Sequence, residues 1–123
     1  MDIDPTGQTD RILQSADALA AEIRRSEPRR EYARLQETVM ADGTNRTLLQ
    51  EYKRLQMQLQ MQAMGGGRAP PEDTERFSRL SALLYMNADV QAYLLAEMKL
   101  QKTLADVIQR VAEAAGIQMD IPQ

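Results

Sequence analysis

The chain has 123 residues, 43% hydrophobic and 27% charged, with a net charge of −3 and neither cysteine nor histidine. This length and balance suit one globular domain. Without Cys or His there are no disulfides, no thiolate chemistry and no cysteine-held clusters, and the commonest metal ligand and general base are missing.

Aromatic residues are only 4% of the chain, and no β-branched run of strand length occurs. The apolar residues are mainly Leu, Ala and Met, which favour helix over strand. The expected fold is all-α, about five helices in an antiparallel bundle with one long C-terminal helix. Residues 1–8, with Pro5 and Gly7, read as a loose arm; 9–117 as a single helical domain; 118–123 as a short tail.

Thr9 or Asp10 is suited to cap a first helix, on which Ile12, Leu13, Ala16, Leu19, Ala20 and Ile23 form one apolar stripe. Arg24 and Arg25 complement its negative C-terminal end. Ser26, Glu27 and Pro28 read as a cap and first turn that restart a helix carrying Tyr32, Leu35 and Val39, which stops at Asp42-Gly43. Thr44 or Asn45 is expected to cap the third helix, running to about Met64. Its stripe is Leu48, Tyr52, Leu55 and Leu59, while Met57, Met61 and Met64 fall on nearly the opposite side of the cylinder.

Gly65-Gly66-Gly67 and Arg68-Ala69-Pro70-Pro71 form a linker, flexible first and stiff afterwards. A fourth helix starts near Glu72 and presents Phe77, Leu80 and Leu84. The fifth runs from Asn87 to Gly116, an N-cap residue and a left-handed stop. At 1.5 Å per residue it is about 40 Å long. Tyr93, Glu97, Leu100, Leu104, Val107 and Val111 follow one another on its apolar face, so Leu104 is expected in the core, and the helix needs cover from other helices or a second chain. The segments Glu31–Gln36 and Glu51–Gln56 echo each other, which reads as similar faces on neighbouring helices, since a solenoid needs a third copy.

Few constellations suggest chemistry. Glu97 lies on the apolar face and requires a basic or hydroxyl partner. A di-metal carboxylate bundle would need histidines, and no P-loop, dinucleotide fingerprint or nucleophile–base pair is present. No catalytic residue, cofactor or metal is therefore expected. Arg24, Arg25, Arg29, Arg30 and Arg34 crowd the junction of the first two helices and are the one candidate RNA contact, but Glu22, Glu27, Glu31 and Glu37 are interleaved with them. No aromatic ladder for base stacking accompanies the cluster, and the chain's charge is negative, so direct nucleic-acid binding is not expected. Met57, Met61 and Met64 are the candidate partner or dimer interface, because methionine adapts to partner surfaces. No apolar run approaches the roughly 20 residues of a membrane span and no signal-peptide pattern opens the chain, so a cytoplasmic location without membrane insertion is expected.

Several residues carry a likeness of layout. They are the first helix ending at Ile23; Ser26, Glu27 and Tyr32; then Leu48, Leu49, Glu51, Tyr52, Leu55 and Gln56. Beyond the Gln/Met-rich end and Gly65 come Asn87, Val90, Tyr93 and Leu94, and then Ala96-Glu97 leading into Leu104, Asp106, Val107 and Ile108. Over residues 13–117 this pattern resembles the YlbF/YmcA family of small helical bacterial regulators. The resemblance implies an all-helical, non-enzymatic protein, commonly a homodimer. It also implies partners among proteins of the same family and an assisting role toward the endoribonuclease RNase Y in mRNA maturation and developmental regulation. Ala88 stands where many relatives have proline. The iron–sulfur clusters of certain members need cysteines that this chain lacks. Two other readings stand beside a protein-interaction regulator: a nucleic-acid-binding module using the arginine cluster, and a structural dimer.

Overall fold

The computed structural model describes residues 6–118, so most of the expected arm and tail lies outside the described residues. Among them are five α-helices and no strand: α1 (Gln8–Arg25), α2 (Glu27–Met40), α3 (Gly43–Met64), α4 (Pro71–Tyr85) and α5 (Ala88–Ala115).

Local chemistry explains most helix ends. The Ser26 hydroxyl accepts from the Arg29 N–H at 3.4 Å, and proline follows in the first turn of α2. On α3 the cap is Asp42, earlier than the expected Thr44 or Asn45. Its carboxylate accepts from the N–H groups of both those residues, at 2.9 and 3.1 Å, and places a negative charge at the positive helix end. α1 likewise starts earlier than expected, at Gln8, with Gly7 in the left-handed region at φ 72°. Asn87 caps α5 through bonds from Asp89 and Val90.

The stops of α3 and α5 are the same device. At α5, Gly116 has φ 75°, its N–H bonds the Glu113 carbonyl, and the Ile117 N–H reaches back to Ala112 at 3.0 Å. At α3, Gly66 has φ 78°, its N–H bonds Ala63, and the Gly67 N–H reaches Gln62 at 3.1 Å. Both are Schellman motifs, which use glycine to satisfy the last carbonyls. The glycine run therefore ends one helix of a hairpin.

In that hairpin α3 and α4 lie antiparallel. Tyr52 stacks on Phe77 with centroids 4.8 Å apart, Glu51 pairs with Arg76, and Gln58 lies beside Asp73. α2 packs on the first half of α5, where Tyr32 stacks on Tyr93 at 5.4 Å. Between the two pairs lies one core that includes Leu35, Val39, Leu49, Leu55, Leu84, Val90 and Tyr93. Each such aliphatic side chain contributes about 1.5–3 kcal/mol when fully buried.

The bundle core is thus built by α2, α3, α4 and the first half of α5. α1 contributes no buried residue. Beyond Ala96 the buried positions of α5 are two alanines, Ala105 and Ala112. The expectation for Leu104 is overturned: it is 39% exposed, and Ile108 and Val111 are more exposed still. Among the described residues α1 packs chiefly on α2, and this end of the apolar stripe of α5 stays open.

Candidate functional site

The polar centre of the molecule is Glu97. One of its oxygens, Oε2, accepts from Tyr32 Oη at 3.3 Å and Tyr93 Oη at 3.4 Å, and is paired with Lys53 Nζ. Lys53 Nζ also lies 5.5 Å from the Tyr93 ring centroid, and Gln36 donates to the Tyr32 hydroxyl. Burial first, then the bond to Tyr93 and the nearby Glu97 charge, push the Tyr32 hydroxyl well above the ordinary tyrosine value. Tyr32 therefore stays a proton donor, and Glu97 joins α2, α3 and α5. A carboxylate engaged by two hydroxyls and an ammonium is poorly placed to act as a base. Lys53, the cationic partner, was not singled out by periodicity. Its one signal is that it follows Tyr52 and so sits at the edge of the buried stripe of α3.

Beside this cluster runs an apolar groove of about 660 Å3. α3 supplies Tyr52, Gln56 and Gln60, α4 supplies Tyr85, and α5 supplies Leu94, Met98, Leu104 and Ile108. The methionines lie just beyond its edge. Met57, Met61 and Met64 are 64%, 67% and 87% exposed, away from the core residues Leu49, Tyr52 and Leu55 of the same helix. On a helix wheel Met57 and Met64 are about 50° round from Gln60, which lines the groove.

Three of the five clustered arginines are held in exposed ion pairs. Arg25 pairs with Glu22 at 2.6 Å, Arg30 with Glu27 at 3.0 Å and Arg34 with Glu31 at 3.1 Å, each one turn apart along its helix. Arg24 and Arg29 have no carboxylate partner among the described residues. No group of three or more potential metal-ligating side chains occurs among the described residues, and no helix there is long and apolar enough to cross a membrane.

Fold and surface define a small all-helical protein whose main open features are apolar helix faces. A family profile described as "Control of competence regulator ComK, YlbF/YmcA" matches residues 12–114. The chain belongs to this YlbF/YmcA family. Among curated relatives, a UPF0342 protein of Halothermothrix orenii is 26% identical over 92 residues, covering 75% of this chain and 78% of its own length. One from Symbiobacterium thermophilum is 26% identical over 107 residues, covering 87% and 94%. A solved protein of unknown function (DUF964) from Bacillus stearothermophilus aligns with a TM-score of 0.72 at 25% identity, over 85% of this chain and 92% of that one. Bacillus subtilis RicA, solved in complex with RicF, aligns with a TM-score of 0.58 at 21% identity, over 86% and 94%, a likeness of fold.

Proposed function

We propose that this protein is a non-enzymatic regulator that acts by binding other helical proteins through the Met57, Met61 and Met64 face of α3. The partner is a second copy of the chain or another protein of the same family, and the regulated process is the RNase Y-dependent mRNA maturation that the family likeness implies. One observation carries this reading: three adaptable thioether side chains stand in water on one face, beside an apolar groove, while the opposite face of α3 is committed to the core. RicA, a solved relative in fold, was crystallised with RicF, which supports pairing within the family.

The test is the double variant Met57→Lys, Met61→Lys. Circular dichroism is expected to show unchanged helix content, because both side chains are already exposed. Light scattering is expected to show a dimer falling to monomer, or a binding assay with a second family member from the same cell to show lost affinity. Unchanged mass together with unchanged binding would refute the role of this face.

A further inference from the structure

The chain has eight methionines and no cysteine, so all of its oxidisable sulfur is thioether. Of the six methionines among the described residues, Met40 is sheltered against the core and the other five are exposed. Met86, at the end of α4, and Met98, in the groove wall of α5, are singly placed. Met57, Met61 and Met64 are gathered instead. Spacings of four and three put them within one narrow arc of α3, on its water side.

The apolar character of this face depends on those sulfurs. From Leu55 to Gly67 the chain carries no charged residue, and glutamines alternate with the apolar side chains from Gln56 to Gln62. What the face offers an apolar partner is therefore three thioethers flanked by carboxamides. A peroxide changes each of them with one oxygen atom. The sulfur gives an electron pair to one peroxide oxygen, an S–O bond forms and the O–O bond breaks. The departing hydroxide takes the proton left on that oxygen and leaves as water. Sulfur is oxidised by two electrons, the peroxide is reduced by two, and an apolar side chain becomes a polar, chiral sulfoxide. An apolar partner surface cannot satisfy the new oxygen, so burying it there is unfavourable. The core residues Leu49, Tyr52 and Leu55 lie on the other side of α3, away from the change.

We propose that Met57, Met61 and Met64 are an oxidation site that turns the α3 face off: hydrogen peroxide converts their thioethers to sulfoxides, and association through this face is lost. Methionine sulfoxide reductases, one for each sulfoxide epimer, reverse the change by drawing two electrons from a dithiol and releasing the oxygen as water. This deepens the interaction reading given above, on which it rests, by naming a chemical regulator of the same face. The unassociated chain is the sensor, because a partner seated on the face shields the sulfurs.

The test treats the full chain with hydrogen peroxide and maps the sulfoxides by peptide mass spectrometry. Circular dichroism follows the fold, and light scattering or binding of a second family member from the same cell follows association. Sulfoxide is expected at Met57, Met61 and Met64 well ahead of Met40, with helix content retained. The dissociation constant is expected to rise at least about tenfold, and reductases supplied with a dithiol are expected to restore it. The variant Met57→Leu, Met61→Leu, Met64→Leu keeps volume and apolarity without an oxidisable sulfur, so it is expected to associate and to ignore peroxide. Met40 oxidising as fast as the stripe, helix content lost on oxidation, or a leucine variant as sensitive as the wild type would each overturn the switch. Should the leucine variant not associate, wild-type chains oxidised to different extents replace it. The loss of association is then expected to track sulfoxide at the three stripe positions, and tracking Met86 or Met98 instead would overturn the proposal. Association untouched by sulfoxide yet abolished by Met57→Lys, Met61→Lys would overturn the switch and leave the interaction role standing. A wild type that associates with neither its own copy nor the family member, or association unchanged by both treatments, would overturn the two together.

Discussion

Glu97 shows how one residue is set by its neighbours. On the inner face of α5 an unpartnered carboxylate would drift toward protonation, and here Tyr32, Tyr93 and Lys53 converge on it. The partner in the chemistry was predictable from sequence as a base or hydroxyl, and both kinds are present. The pH dependence follows from Tyr32. Its folded value is raised above the ordinary 10.0, mainly by burial, so the neutral form is favoured in the fold. That contribution is whole below pH 10 and is lost as pH rises beyond it toward the folded value. Burial raises Tyr52 in the same direction. Thermal midpoints of the wild type are therefore expected to fall as pH rises above about 10, and those of Tyr32→Phe to fall less steeply. At neutral pH the variant should lose about 0.5–1.5 kcal/mol, a typical net hydrogen bond. Parallel pH profiles for the two proteins would refute the assignment.

Among the elements, the two halves of α5 behave as different helices. The first half packs on α2 through Tyr93 and buries Val90 and Leu94 in the core, and the second half exposes Leu104, Ile108 and Val111. Leu104→Asp, which the sequence pattern alone would make an unfolding mutation, is expected to leave the cooperative thermal transition of the isolated chain within about 1 kcal/mol of wild type. Leu49→Ala removes a fully buried side chain from α3 and is expected to cost about 2–5 kcal/mol. Chemical denaturation of both separates the assignments, and a larger loss at Leu104 than at Leu49 would restore it to the core. The echo of Glu31–Gln36 in Glu51–Gln56 has a common geometry. In each, the tyrosine stacks on an aromatic ring and the leucine is buried, while glutamate pairs with the arginine one turn later.

At the scale of the molecule, charge is distributed to neutralise itself. Three of the five clustered arginines are paired with glutamates one turn away, and the chain as a whole carries −3. Such exposed pairs add little to stability, but they leave few free cations to displace counterions from a phosphate backbone. Changing Arg24, Arg25, Arg29 and Arg30 together to Gln is expected to leave RNA affinity weak and little changed. Steeply salt-dependent binding in the wild type that vanishes in this variant would make the arginine cluster a nucleic-acid site after all.

Helix number, order and most boundaries could be read directly from the chain, because caps, stops and apolar spacing act over only a few residues. Ser26, Asn87 and Gly116 mark their helix ends through bonds to near neighbours. The separation of the methionines from the Tyr52 stripe is likewise a consequence of 100° per residue. Tertiary structure decided what periodicity cannot encode: which stretch of a stripe is covered, and by what. The Tyr32 and Lys53 contacts to Glu97 join residues 65 and 44 positions apart, and the groove needs α3, α4 and α5 together. An amphipathic pattern states that a face must be shielded from water, but it is the same for a face shielded by its own chain and one left for another. That is why Leu104 read as core from its spacing and stands open in the fold.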